Sequence, residues 1–122
     1  MNRQKFDNII AKFGAAWVSR DPDSLMSLIS RNDLRYFETN FDPPLTDWAK
    51  VKKLWDIVPN NQTDITWHHE ILLAEENKVL AHVQLSRTLL PSRKHQIIDA
   101  AFLFGFDEDN KINYFRQWRS IK

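Results

Sequence analysis

TDITWHHEILLAEENKVLAHVQLSRTL, residues 63–89, decides the architecture. Side-chain character alternates with a period of two through 63–74 and again through 79–89, the repeat of strands with two unlike faces. Glu75-Glu76-Asn77-Lys78 between them is short and polar, so the two strands form an antiparallel hairpin. The pattern returns downstream: a strand over 94–106, a polar turn at Asp107-Glu108-Asp109-Asn110, and a last strand over 111–120. Leu89-Leu90-Pro91-Ser92 breaks the run between the two hairpins. The second half of the chain therefore reads as a meander of four long strands.

Upstream the period changes. Phe6, Ile9, Ile10, Phe13 and Trp17 recur at helical spacing and predict a helix over 3–20. Asp21 is placed to cap a short second helix with Pro22 in its first position, burying Leu25, Leu28 and Ile29. Residues 33–39 read as a short strand with Leu34, Tyr36 and Glu38 on one side. Asn40 to Pro44 is a loop, and Thr46 can cap a third helix carrying Trp48, Val51, Leu54, Trp55 and Val58, ended by Pro59 and Asn60-Asn61. The expected order is α-α-β-α-β-β-β-β in one domain, 1–122: an α+β fold with three N-terminal helices packed in a curled, mostly antiparallel sheet. Strands this long must twist, and a sheet curled around the first helix encloses a cone-shaped hollow.

Composition narrows the partners. A net charge of +1 gives no electrostatic case for nucleic acid or an anionic membrane. The absence of cysteine removes thiol and disulfide chemistry and fits a reducing cytoplasm. MNRQKFDNII carries no apolar run, so no signal peptide is expected, and no segment approaches the roughly 20 apolar residues of a membrane span. Gly14 and Gly105 belong to no phosphate loop. Five tryptophans and eight phenylalanines suit either a bulky core or the walls of a cavity.

The strand rows mix polar and aromatic groups. His69, His82, Gln84, Gln117 and Arg119 recur among Trp67, Ile71, Phe102 and Phe115. Burying such groups unpaired is costly, which suggests a wet hollow rather than a dry core. If Glu75 pairs with Lys78, Ile71 faces His82 and His69 faces Gln84. If Phe106 pairs with Lys111, Phe102 faces Phe115, Ala100 faces Gln117 and Ile98 faces Arg119.

Four stretches, FGAAWVSRD (13–21), SLMSLI (24–29), NDLRYFET (32–39) and FLFGFDEDNKINYFRQW (102–118), resemble the nuclear-transport-factor-2-like superfamily and, within it, the SnoaL-like proteins. The resemblance implies a conical α+β barrel with a pocket at its open end, often dimerised through the outer sheet face. Its members include isomerases, dehydratases, cyclases, hydrolases and pure binding modules, so fold alone assigns no reaction. Matching the strand rows to the superfamily's concave side puts Trp67, His69, Ile71, Leu80, His82, Gln84, Ser86, Phe102, Phe115, Gln117 and Arg119 inside. Tyr36, Glu38, Phe13, Trp17 and Trp55 join them from the first strand and the helices.

Glu38 matches the proton-shuttling carboxylate of the superfamily's ketosteroid isomerases, where an apolar setting raises a carboxyl pKa. It also suits a rim ion pair with Arg35, Arg116 or Arg119. The isomerases' oxyanion donors match Phe13 and Phe102 here, so ketosteroid isomerisation itself is not expected. Tyr36, His82 or Arg119 could stand in as donors. His69 and His82, expected on one side, suit a base and a donor, or pairing with Tyr36 or Gln84. No HxH or HExxH spacing supports a metal site, and no cofactor is expected. Arg119 could clamp a carboxylate or carbonyl. Trp17, Trp55, Trp67, Phe102 and Phe115, with Gln84 and Gln117, would contact a small hydrophobic or carbonyl-containing ligand. The opposite face, with Val83, Leu85, Ile97, Ala101, Leu103 and Trp118, suits a homodimer interface. The expectation is a cytoplasmic small-molecule pocket protein, either using acid/base chemistry or acting as a non-catalytic binder or dimeric interaction module.

Overall fold

The computed structural model describes residues 3–122. Helix α1 (Arg3–Val18) buries Phe6, Ile10, Phe13, Gly14, Ala16 and Trp17 on one stripe. In α2 (Pro22–Met26) the Asp21 carboxylate accepts from the Ser24 N–H, with Pro22 in the first turn, as the spacing predicts. Strand β1 is only Arg35–Tyr36, so the chain has left the sheet before Glu38. Helix α3 (Trp48–Asp56) is capped by Asp47 rather than Thr46, the carboxylate accepting from Ala49 N–H at 2.9 Å. A fourth helix, α4 (Val58–Asn61), follows where a stop was expected. Pro59 lies in its first turn, where a missing N–H leaves no helical bond unmade.

Strands β2 (Gln62–Glu75), β3 (Lys78–Leu89), β4 (His95–Phe106) and β5 (Ile112–Ile121) form the expected meander. The sheet order is β1-β5-β4-β3-β2, with β1 parallel to β5 and every other pair antiparallel. The sheet curls but does not close into a barrel, leaving β1 and β2 as its edges. No helix among the described residues is long and apolar enough to cross a membrane.

One extra residue reverses a strand. Glu75 pairs with Lys78 as expected, but a bulge at Leu72 shifts the ladder, so Ile71 faces Ala81 and His69 faces Val83. Because side chains alternate, that single residue turns β3 inside out relative to the arithmetic. Val79, Ala81, Val83 and Leu85 are buried, while Leu80, His82, Gln84 and Ser86 lie on the opposite, convex row. A second bulge near Asp64, whose φ of 51° is left-handed, places Gln62 on the same concave side as Ile65, Trp67, His69 and Ile71. In β4–β5 the register differs from expectation by two: Phe104 faces Phe115, Phe102 faces Gln117 and Ala100 faces Arg119. A shift of two preserves the faces, so Phe102, Phe115, Gln117 and Arg119 remain on the concave row.

The expected hollow is occupied by rings. Phe13, with no exposed surface, lies 5.5–6.3 Å, centroid to centroid, from Trp17, Trp55, Trp67, Phe104 and Phe115. Phe102 closes on Trp67 at 5.7 Å and on Phe115 at 5.3 Å. Tyr36 stacks on Phe115 at 4.8 Å. The space bounded by Trp17, Leu25, Trp55 and Val58 has no room for a water molecule. Edge-to-face and offset contacts of this kind add about 0.5–1.5 kcal/mol per pair beyond area burial. The aromatics expected as cavity walls are therefore the core itself.

Candidate functional site at the polar end of the cone

Each indole on the concave side has found a partner. Trp17 Nε1 donates to Gln62 Oε1 at 3.0 Å, and Trp55 Nε1 donates to the Tyr36 hydroxyl at 3.1 Å. Trp67 Nε1 donates to His69 Nδ1 at 2.9 Å, and His69 Nε2 lies 2.8 Å from Asp7 Oδ1 on α1. An indole N–H can only donate, so His69 Nδ1 accepts and Nε2 carries the proton toward Asp7. Both imidazole nitrogens are thereby used, tying α1 to β2 and leaving His69 no free lone pair to act as a base.

His82 stands elsewhere. It lies on the convex face, with Nε2 3.0 Å from Asp99 Oδ1, and Gln84 is exposed on the same row. The two histidines are on opposite faces of the sheet. The inversion of β3 removes His82 and Gln84 from the concave constellation.

What remains is spread along the concave side: Tyr36 is level with Phe115, Gln117 and Arg119 follow along β5, and Arg87 lies near the end of β3 opposite Gln96. Tyr36 is buried, and its hydroxyl accepts from Trp55, which leaves the phenolic proton free to donate. Burial pushes the Tyr36 phenol above its ordinary value; the Trp55 hydrogen bond opposes this, Glu38 adds to it and Arg119 works against it. Tyr36 is therefore held as a neutral phenol, and Glu38 and Arg119 are near enough to bias it. Glu38 itself is exposed in the bend after β1, so the desolvated setting expected for it is absent. It makes no ion pair among the described residues. Gln117 is half-buried, and its carbonyl accepts from Asn40 Nδ2 at 2.8 Å, anchoring the loop after Glu38 to β5.

Two concave residues escaped the sequence reading. Arg87 continues the buried row of β3, and its Nε donates to Gln96 Oε1 on β4 at 3.0 Å. Burial, and secondarily the charge of Arg119, lowers the Arg87 pKa from its ordinary value. The available signal was Arg87's parity with Val79, Ala81, Val83 and Leu85. Chemically, the concave side offers a buried neutral phenol, two guanidinium groups and two amides, with one exposed carboxylate just beyond β1.

No family model matches the chain, and no curated protein sequence matches it. Solved structures do. The epoxide hydrolase/cyclase-like enzyme SalBIII, described in pyran ring formation in polyether salinomycin, superposes with a TM-score of 0.78 at 17% identity, covering 98% of this chain and 93% of that one. An LEH-like epoxide hydrolase of M. tuberculosis gives 0.75 at 15% identity, covering 96% and 84%. An NTF2-like protein from Burkholderia xenovorans gives 0.74 at 16% identity, covering 98% and 92%. The helix-in-curled-sheet arrangement and these superpositions agree: the chain has the fold of these epoxide hydrolase-like and NTF2-like structures.

Proposed function

We propose that the chain binds a small carbonyl-containing molecule at the polar end of the cone, against the rim rather than in a central chamber. The observation that carries this reading is the convergence of Tyr36, Glu38 and Arg119, with Gln117 on the same concave row. Exposed Ile121 on the adjoining row, and Phe41 in the loop that Asn40 anchors to β5, supply apolar contact area beside these groups. Two fold neighbours, the cyclase-like enzyme and the epoxide hydrolase, are enzymes of small-molecule chemistry, which supports the same reading. In an enzymatic version, Tyr36 would donate to a carbonyl oxygen and Glu38 would move the proton. Amide chemical-shift mapping with a panel of small aromatic carbonyl compounds should move residues 36–38, 87, 96 and 117–119. Shifts confined to the convex face would contradict the site. Glu38→Gln should keep ligand affinity, and any turnover found with that ligand should disappear. Turnover that persists would remove Glu38 from the chemistry.

A second reading concerns assembly. Leu72, Ile97 and Trp118 are each about half exposed on or beside the convex row that also holds Leu80, Ala101 and Leu103. Exposed apolar side chains interspersed with polar groups on one sheet face suit a homodimer interface. Sedimentation at micromolar concentration should give a dimer, and Trp118→Asp should shift it to monomer while the fold persists. A monomeric parent protein would end this reading.

A further inference from the structure

We infer, building on the binding reading above, that the polar end recognises an oxyanion, a carboxylate or phosphate ester on an apolar body, and that Arg87 and Arg119 together hold it. Arg87 is half-buried, and its only hydrogen bond among the described residues is Nε to Gln96. Its terminal guanidinium donors have no protein acceptor there. Arg119 makes no hydrogen bond or ion pair among the described residues, although it is close enough to disfavour the charge on Arg87. No carboxylate lies within ion-pairing distance of either group among the described residues.

A partly buried guanidinium without an anion is costly, and a like charge beside it adds to the cost. Protein side chains usually relieve such a pair with Asp or Glu. Here the relief is left to something outside the chain. Both arginines project from the concave side, Arg87 opposite Gln96 and Arg119 opposite Ala100, and a guanidinium fork matches an oxyanion, which accepts several charge-assisted hydrogen bonds at once. The surrounding loops favour the same sign: Arg93 and Lys94 precede β4, and Lys122 pairs through its backbone with Ile97. The acidic turns, Glu75-Glu76 and Asp107-Glu108-Asp109, lie at the opposite end of the sheet.

Three probes sharing one apolar body test this: 2-naphthoate, 2-naphthyl phosphate and the neutral 2-naphthamide, each titrated into 15N-labelled protein. One or both anions should shift residues 87, 96 and 117–119 and bind about ten-fold or more tightly than the amide, the gain of a charge-assisted contact. The better anion identifies which oxyanion the site prefers. Arg119→Gln and Arg87→Gln should each bring the ratio of anion to amide affinity down toward one. Arg119 is exposed and unbonded, so its variant folds whatever Arg87 contributes to stability. Equal binding of all three probes at these residues would overturn the oxyanion assignment and leave the binding end intact. A preference that survives both substitutions would remove the arginines. No shift at these residues with any probe would defeat both the assignment and the site beneath it.

Discussion

Phe13→Ala should destabilise the protein by about 3–5 kcal/mol, the upper range for truncating a fully buried aromatic. Phe13 has no exposed surface and touches five rings drawn from α1, α3, β2, β4 and β5. Those rings are held by one another and by indole hydrogen bonds to Gln62, Tyr36 and His69, so they cannot collapse into the vacancy. The cavity term therefore adds to the lost transfer term. Against a typical domain stability of about 5–15 kcal/mol, the loss is a large fraction of the whole. Urea unfolding should show a lower midpoint with an unchanged slope, because the surface exposed on unfolding is nearly the same. The measurement also separates a solid interior from a hollow one. In a hollow cone Phe13 would be a wall residue with one side free, and truncation would cost about 1 kcal/mol or less, as for sites away from a packed core.

The contrast between hollow and solid shows what the sequence could and could not reveal. The four-strand meander, the buried stripe of α1, the Asp21 cap and the inward face of β4 follow from periodicity and local capping chemistry, and the structure has them. The face of β3 depends on a single bulge at Leu72, which no spacing in 63–89 announces. Yet the chemistry of the strand carried a warning. Val79, Ala81, Val83 and Leu85 are all apolar, and burying that row costs nothing, whereas burying Leu80, His82, Gln84 and Ser86 requires partners for three polar groups. Hairpin arithmetic and burial energetics thus point opposite ways in β3, and the bulge lets burial decide. The same inversion hid Arg87, which shares a row with the apolar residues. In β5 the register error was two rather than one, so Gln117 and Arg119 kept their faces. Glu38 is exposed for a different reason: β1 stops at Tyr36, and the bend after it belongs to no ladder.

Gly14→Ala should also destabilise, against the sign that helix propensity alone predicts. In a helix interior, alanine is favoured over glycine by about 1 kcal/mol. Here a Cβ at position 14 would fall onto the Trp67 indole ring, closer than unbonded atoms approach. Trp67 cannot yield cheaply. Its N–H is given to His69, and its ring is bounded by Phe13, Trp17 and Phe102 at 5.7–6.0 Å. Either α1 lifts from β2 or the indole turns and breaks the Trp67–His69–Asp7 chain. Overpacking costs about 1–3 kcal/mol, and a lost hydrogen bond about 1 kcal/mol, so the net loss should be about 1–3 kcal/mol after the propensity gain. A double-mutant cycle isolates the clash. With Trp67→Leu already in place, the ring is gone and Gly14→Ala should approach its intrinsic gain, giving a coupling energy above about 1 kcal/mol. A Gly14→Ala variant more stable than the parent would mean that α1 does not sit on Trp67. The concave face of β2 would then have to be reassigned, together with the curl of the sheet around the helix.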